Sequence, residues 1–68
     1  MDEHGFGTRI RQARDTHGWS QESLAESANV SRPTIARIER GDDVSTATLV
    51  KVASALGLTV EVSALDEA

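Results

Sequence analysis

The sequence predicts a small all-α domain of four or five helices, followed by one short C-terminal β-strand. Three observations carry that prediction. Apolar residues recur three and four positions apart in four separate stretches, the spacing of one face of a helix. Serine stands just ahead of three of these stretches, at Ser20, Ser31 and Ser45, where a hydroxyl can accept the orphan N–H groups of an opening turn. Only residues 58–62 switch to the alternating period of a strand.

Taken in order, residues 1–5 are polar and are expected to be a disordered N-terminus. A single domain is then expected over 6–57, with 58–68 as strand and tail. In the first helix Phe6, Ile10 and Ala13 form the apolar face, and Gly18 ends it. Arg14 lies on the Ile10 side and so faces the core. Trp19 is expected to anchor the first two helices against each other. The second helix opens at Ser20, turns Leu24, Ala25 and Ala28 inward, and stops at Asn29, which tolerates a left-handed backbone. Val30 plugs the hinge. Ser31 caps the third helix, which sends Ile35 and Ile38 inward and leaves Arg32 and Arg37 outside. Two helices joined by so short a turn, the second basic on its outer face, make a helix-turn-helix. Residues 41–44 form a loop carrying Asp42 and Asp43.

Ser45 caps the fourth helix, where Leu49, Val50, Val52, Ala53 and Leu56 wrap widely around the axis. That breadth predicts the most buried helix of the domain, with Gly57 as its stop. Beyond it Leu58, Val60 and Val62 alternate with Thr59 and Glu61. The strand has no partner elsewhere in the chain, and its unpaired backbone groups would be satisfied by the same strand of a second copy. Leu58, Val60 and Val62 are therefore the expected dimerisation residues.

Composition narrows the function. The 68 residues suffice for one domain, but a chain this short buries only about 60% of its unfolded surface, and dimerisation would add to that. Without cysteine there is no disulfide and no thiolate zinc site, which fits a cytoplasmic setting. No apolar run approaches a membrane span or a signal segment. His4 and His17 stand far apart with no further ligand type beside them, so no metal and no cofactor is expected. Neither a Gly-rich phosphate loop nor a nucleophile motif is present, which argues against an enzyme. The net charge is −4, yet residues 31–40 hold three Arg against one Glu. An acidic body with one basic face can still meet DNA.

The motif resembles the phage-repressor and Cro type of helix-turn-helix, the XRE family of bacterial regulators. The residues that carry the likeness are Trp19-Ser20-Gln21-Glu22-x-Leu24-Ala25, then Val30-Ser31-Arg32-x-Thr34-Ile35-x-x-Ile38-Glu39-x-Gly41, then Thr48-Leu49-x-x-x-Ala53-x-Ala55-Leu56-Gly57. With Arg14 and Gly18, the resemblance covers about residues 6–58. It implies sequence-specific binding of double-stranded DNA by a homodimer on a palindromic operator, as a transcriptional repressor. The first positions of the recognition helix would then reach the bases: Arg32, Pro33 and Thr34, with Ala36 and Arg37 one turn on. Pro33 departs from the polar residue usual there and offers only apolar contact. The resemblance further implies phosphate contacts from Gln21, Ser31, Arg40 and the Gly41 amide, and a structural salt bridge between Arg14 and Glu39.

Two rival functions go with these residues. Gly18-Trp19-Ser20-Gln21 and the 58–62 strand also resemble the antitoxin branch, of the HipB or HigA kind, whose members hold a toxin protein as well as their operator. The acidic net charge and Pro33 would fit a protein-interaction module that has lost DNA binding.

Overall fold

Four helices account for the described residues, 5–59, of the computed structural model: α1 Phe6–His17, α2 Gln21–Ala28, α3 Arg32–Arg40 and α4 Thr46–Ala55. Among the described residues there is no strand. The 58–62 strand, with Val60 and Val62, lies almost wholly outside them.

Local chemistry sets the helix ends. The Ser20, Ser31 and Ser45 hydroxyls accept from the backbone N–H of Ser23, Thr34 and Thr48 at 3.0, 3.3 and 3.1 Å. Each cap satisfies one of the four donors that a helix leaves open at its start. At the other ends a double backbone closure recurs: Trp19, Val30, Asp42 and Leu58 donate to the carbonyls of Arg14, Ala25, Arg37 and Ala53. The residue before each donor is left-handed. Only one of the four is not glycine: Asn29 turns at φ 60° between α2 and α3. Asparagine tolerates that region better than other residues with a Cβ, so the turn can be three residues long.

The core is Ile10 from α1, Leu24, Ala25 and Ala28 from α2, Ile35 and Ile38 from α3, and Val52 with Leu56 from the end of the chain's helical part. Trp19, Val30, Val44 and Leu49 pack against it from the edge, partly buried. Helix α2 is the middle of the packing, with α3 on one side and α4 on another, while α1 crosses α3.

Two expectations from spacing are corrected here. Phe6 is 47% exposed, and so α1 buries Ile10 rather than its first aromatic residue. Helix α4 is not the most buried. It is packed against α2 and buries Val52 and Ala53, with Leu49 partly buried and Leu56 buried just past its end, whereas Val50 is 43% exposed. Five apolar positions wrap further round the axis than one neighbouring helix can cover. Phe6 and Leu58 instead flank a shallow groove over Ile10, Ala13 and Ala53.

Gly7 escaped the sequence reading. A Cβ built there would overlap the Ile38 carbonyl oxygen and lie 3.0 Å from that of Glu39. The start of α1 thus rests directly on the backbone of α3, an approach open only to glycine. The available signal was glycine inside a helical pattern, where it costs about 1 kcal/mol against alanine unless packing requires it. Gly7→Ala is accordingly expected to lose about 1–2 kcal/mol net, the overlap outweighing the gain in helix propensity. A urea midpoint at or above that of the wild type would refute the close contact.

Candidate nucleic-acid interface

The candidate interface is the outer face of α3 together with the start of α2. Ile35 and Ile38 are buried on the inner side of α3, which turns Arg32, Pro33 and Arg37 to solvent. Arg32 is the first residue of the helix and Pro33 the second, where a missing N–H costs no intrahelical bond. Thr34 and Ala36 are half-buried. Among the described residues neither Arg32 nor Arg37 is ion-paired, so both exposed guanidinium groups are available on the outer side of α3.

The expected phosphate residues fare unequally. Ser31 and Thr34 pair their hydroxyls at 2.9 Å, so the Ser31 oxygen is shared between the helix cap and its neighbour. Arg40 is turned back on the loop, donating to Asp42 Oδ2 at 2.7 and 3.2 Å. A phosphate would have to compete with that carboxylate, although the pair is exposed and therefore weak. The Gly41 N–H already donates to the Ile38 carbonyl at 3.0 Å, closing α3. A phosphate contact there would come at the expense of that closure. Gln21 donates from Nε2 to Glu39 Oε1 at 3.2 Å.

Beneath this surface lies a polar clamp. Arg14 Nε donates to Glu39 Oε2 at 2.6 Å and Nη2 to Oε1 at 3.0 Å, a two-pronged pair between α1 and α3. The side chains are only 13% and 6% exposed. Arg14 Nη1 also donates to the Trp19 carbonyl at 2.9 Å, tying down the connection from α1 to α2. The hydrogen bond that Arg14 donates to Glu39 raises the Arg14 pKa above its ordinary value, against the lowering effect of burial, so the guanidinium stays charged at any ordinary pH. Among the described residues every buried side-chain polar atom has a partner.

Two further contacts lie at helix C-terminal ends. Lys51 reaches from α4 to the Asn29 carbonyl at 3.3 Å, placing a cation at the negative end of α2. His17 donates from Nδ1 to the Ala13 carbonyl at 2.9 Å, and its ring lies 4.6 Å from that of Trp19. No group of three or more potential ligands that could hold a metal occurs among the described residues, and no helix there is long and apolar enough to cross a membrane.

The helix-turn-helix family model HTH_3 matches residues 10–62, from within α1 to beyond the end of α4. The chain belongs to the helix-turn-helix family of XRE type. Within this family it is 41% identical over 54 residues to the HTH-type transcriptional regulator PrtR of Pseudomonas aeruginosa, which takes in 79% of this chain and 21% of PrtR. The chain thus spans about a fifth of that relative's length. The uncharacterised HTH-type transcriptional regulator YgzD of Bacillus subtilis is 37% identical over 54 residues, with 78% of this chain and 82% of YgzD matched. Among solved structures, the restriction-modification controller protein C.AhdI of Aeromonas hydrophila superposes with a TM-score of 0.73 at 39% identity, covering 78% of this chain and 82% of that one. The four-helix arrangement of the described residues is therefore the helix-turn-helix fold of C.AhdI.

Proposed function

We propose that this chain is a DNA-binding transcriptional regulator, a repressor that occupies a near-palindromic operator as a homodimer. The observation that carries the reading is the outer face of α3, where Arg32 and Arg37 stand exposed and free of ion pairs among the described residues. An unpaired guanidinium can donate two hydrogen bonds to guanine O6 and N7 in the major groove, whereas one held by a carboxylate must first give that bond up. On this reading Arg32, Pro33, Thr34, Ala36 and Arg37 face the bases. Gln21, Ser31 and Arg40 lie along the backbone. Two copies related by a two-fold axis would set their third helices in successive major grooves about 34 Å apart. The exposed Leu58, continuing into Val60 and Val62, is the proposed dimer contact.

Kinship with transcriptional regulators and with a restriction-modification controller supports this reading over an enzyme. The C.AhdI likeness extends over 82% of that protein, so a small controller-type regulator is a fitting precedent. Charge sets the terms of binding. With a net charge of −4 and Arg40 engaged by Asp42, affinity should be modest, and its fall with salt is set by the few phosphates that the free cations neutralise.

Selection from a random duplex library, run in parallel on the wild type and Arg37→Ala, tests the reading. An inverted repeat with half-sites one helical turn apart is expected, and Arg37→Ala should weaken it by about 1–3 kcal/mol while relaxing one position. If nothing is enriched and both proteins bind equally weakly, the repressor reading is lost. A protein-interaction module, or an antitoxin that needs its toxin to grip DNA, would then take its place.

A further inference from the structure

We propose that Pro33 is a specificity-determining residue that reads a pyrimidine C5-methyl group, which in unmodified DNA is the methyl of thymine. The inference rests on the DNA-binding reading above. At about 100° per residue, Pro33 lies about 160° round α3 from Ile35 and about 140° from Ile38, the two residues that the helix buries. It therefore stands at the middle of the outward face, and it is exposed. On the same count Arg37 is about 40° to one side of Pro33 and Ala36 about 60° to the other, with Arg32 about 40° beyond Ala36. Two guanidinium groups without ion pairs among the described residues thus flank an apolar centre. Arg40 shares the bearing of Pro33 but stands about two turns further along the axis, where Asp42 engages it.

The chemistry of this face is selective through what it lacks. In the major groove guanine is matched by Arg or Lys, adenine by a side-chain amide, cytosine by a carboxylate and thymine by an apolar contact with its methyl. Among Arg32, Pro33, Thr34, Ala36 and Arg37 there is neither an amide nor a carboxylate. The single hydroxyl, that of Thr34, is paired with Ser31 Oγ at 2.9 Å.

Pro33 has no polar side-chain atom and no backbone N–H, so its contact with a base edge is apolar. Pressed against the amino group of adenine or cytosine, the ring would strip water from a donor and return nothing. Against a methyl group it loses no hydrogen bond. The preference is therefore set by the penalty on the wrong bases as well as by the gain on the right one. The ring is also ordered in advance, since proline fixes φ and gives up no rotamer freedom on burial.

The test begins with the operator selected from the random duplex library. Each thymine of a half-site is replaced singly by uracil, which removes the methyl and leaves the pairing edge. At one position the wild type should bind the uracil duplex about fourfold more weakly, the factor for one methyl withdrawn from water. A C·G pair at that position, with cytosine or 5-methylcytosine, measures the other carrier of the same group, and methylation should regain a similar factor. In Pro33→Ala, a good helix former that shortens the contact, the uracil factor should shrink below about twofold. Pro33→Gln should shift the selected base from thymine towards adenine, whose N6 and N7 an amide can pair. A circular-dichroism melt establishes that both variants are folded.

A selected operator whose every thymine becomes uracil without loss, or whose half-sites contain no thymine, would overturn the proposal while the DNA-binding reading stands. So would a uracil factor undiminished in folded Pro33→Ala. A wild type that enriches no sequence removes both.

A measurement on the wild type covers the case of unfolded variants. Pro33 is the only proline of the chain, so its ring protons are distinct in NMR spectra of the operator complex. Cross-relaxation between those protons and one C5-methyl group is expected. A Pro33 ring with no C5-methyl neighbour in the complex would overturn the proposal.

Discussion

Glu39→Ala is expected to cost about 3–5 kcal/mol of stability, because it strips the Arg14 guanidinium of its two-pronged buried partner and leaves only the exposed Asp15 carboxylate, 3.6 Å from Nη1, as counter-charge. Arg14 is 13% exposed on its side chain and cannot swing out without abandoning the Trp19 carbonyl it also holds at 2.9 Å. A chain of 68 residues has roughly 3–10 kcal/mol to lose, so this one change should bring the domain to the edge of unfolding near room temperature. The melting temperature should fall by more than about 12 °C, at 4–8 °C per kcal/mol for a domain this small. Asp42→Ala is the control. It breaks the exposed pair with Arg40 and should cost no more than about 1 kcal/mol. Comparable losses in the two variants would mean that burial does not set the strength of the Arg14–Glu39 clamp.

Ile35→Ala should destabilise the domain by about 2–5 kcal/mol and Ile35→Val by about 0.5–1.5 kcal/mol. Ile35 has no exposed surface, and it lies on the inner side of the helix whose outer side carries Arg32 and Arg37. Truncation removes apolar contact and leaves a cavity that rigid neighbours on α1 and α2 can fill only in part. The cost at a fixed deletion depends on how far the site collapses, so the valine and alanine variants together report its rigidity. Chemical denaturation with unchanged m-values measures it. An alanine variant within 1 kcal/mol of the wild type would show that α3 is seated by its caps and the Arg14–Glu39 clamp rather than by the core.

Much of the fold was legible because much of it is local. A serine hydroxyl caps a helix by reaching three residues ahead, so Ser20, Ser31 and Ser45 could be assigned from the order of residues alone. Asn29 announced its left-handed turn for the same reason, since the bonds that close α2 run within five residues. The inward Leu24, Ala25, Ala28, Ile35 and Ile38 followed from spacing, because one face of a short helix between two others has to be buried.

Spacing marks which residues are apolar, but it does not say how many helices will come to meet them. It therefore overestimated Phe6 and Val50, which no described element covers. The candidate site divides along the same line. That Arg32 and Arg37 face outward was set by their place on α3 relative to Ile35 and Ile38. That Arg40 is engaged by Asp42, and that Gln21 shares Glu39 with Arg14, depends on side-chain conformations and on three helices meeting at one carboxylate. Gly7 belongs here too, for its value lies wholly in the α3 backbone thirty-odd residues away.

By itself, then, the sequence determined where each helix starts and stops and which face turns inward, since those outcomes rest on bonds and periodicities within a few residues. The tertiary structure alone decided which apolar residues find a partner, which arginines stay unpaired, and how the Arg14–Glu39–Gln21 clamp joins the fold to the proposed DNA surface. Those outcomes depend on atoms far apart in the chain, and only the packing of α1, α2 and α3 brings them within hydrogen-bond reach.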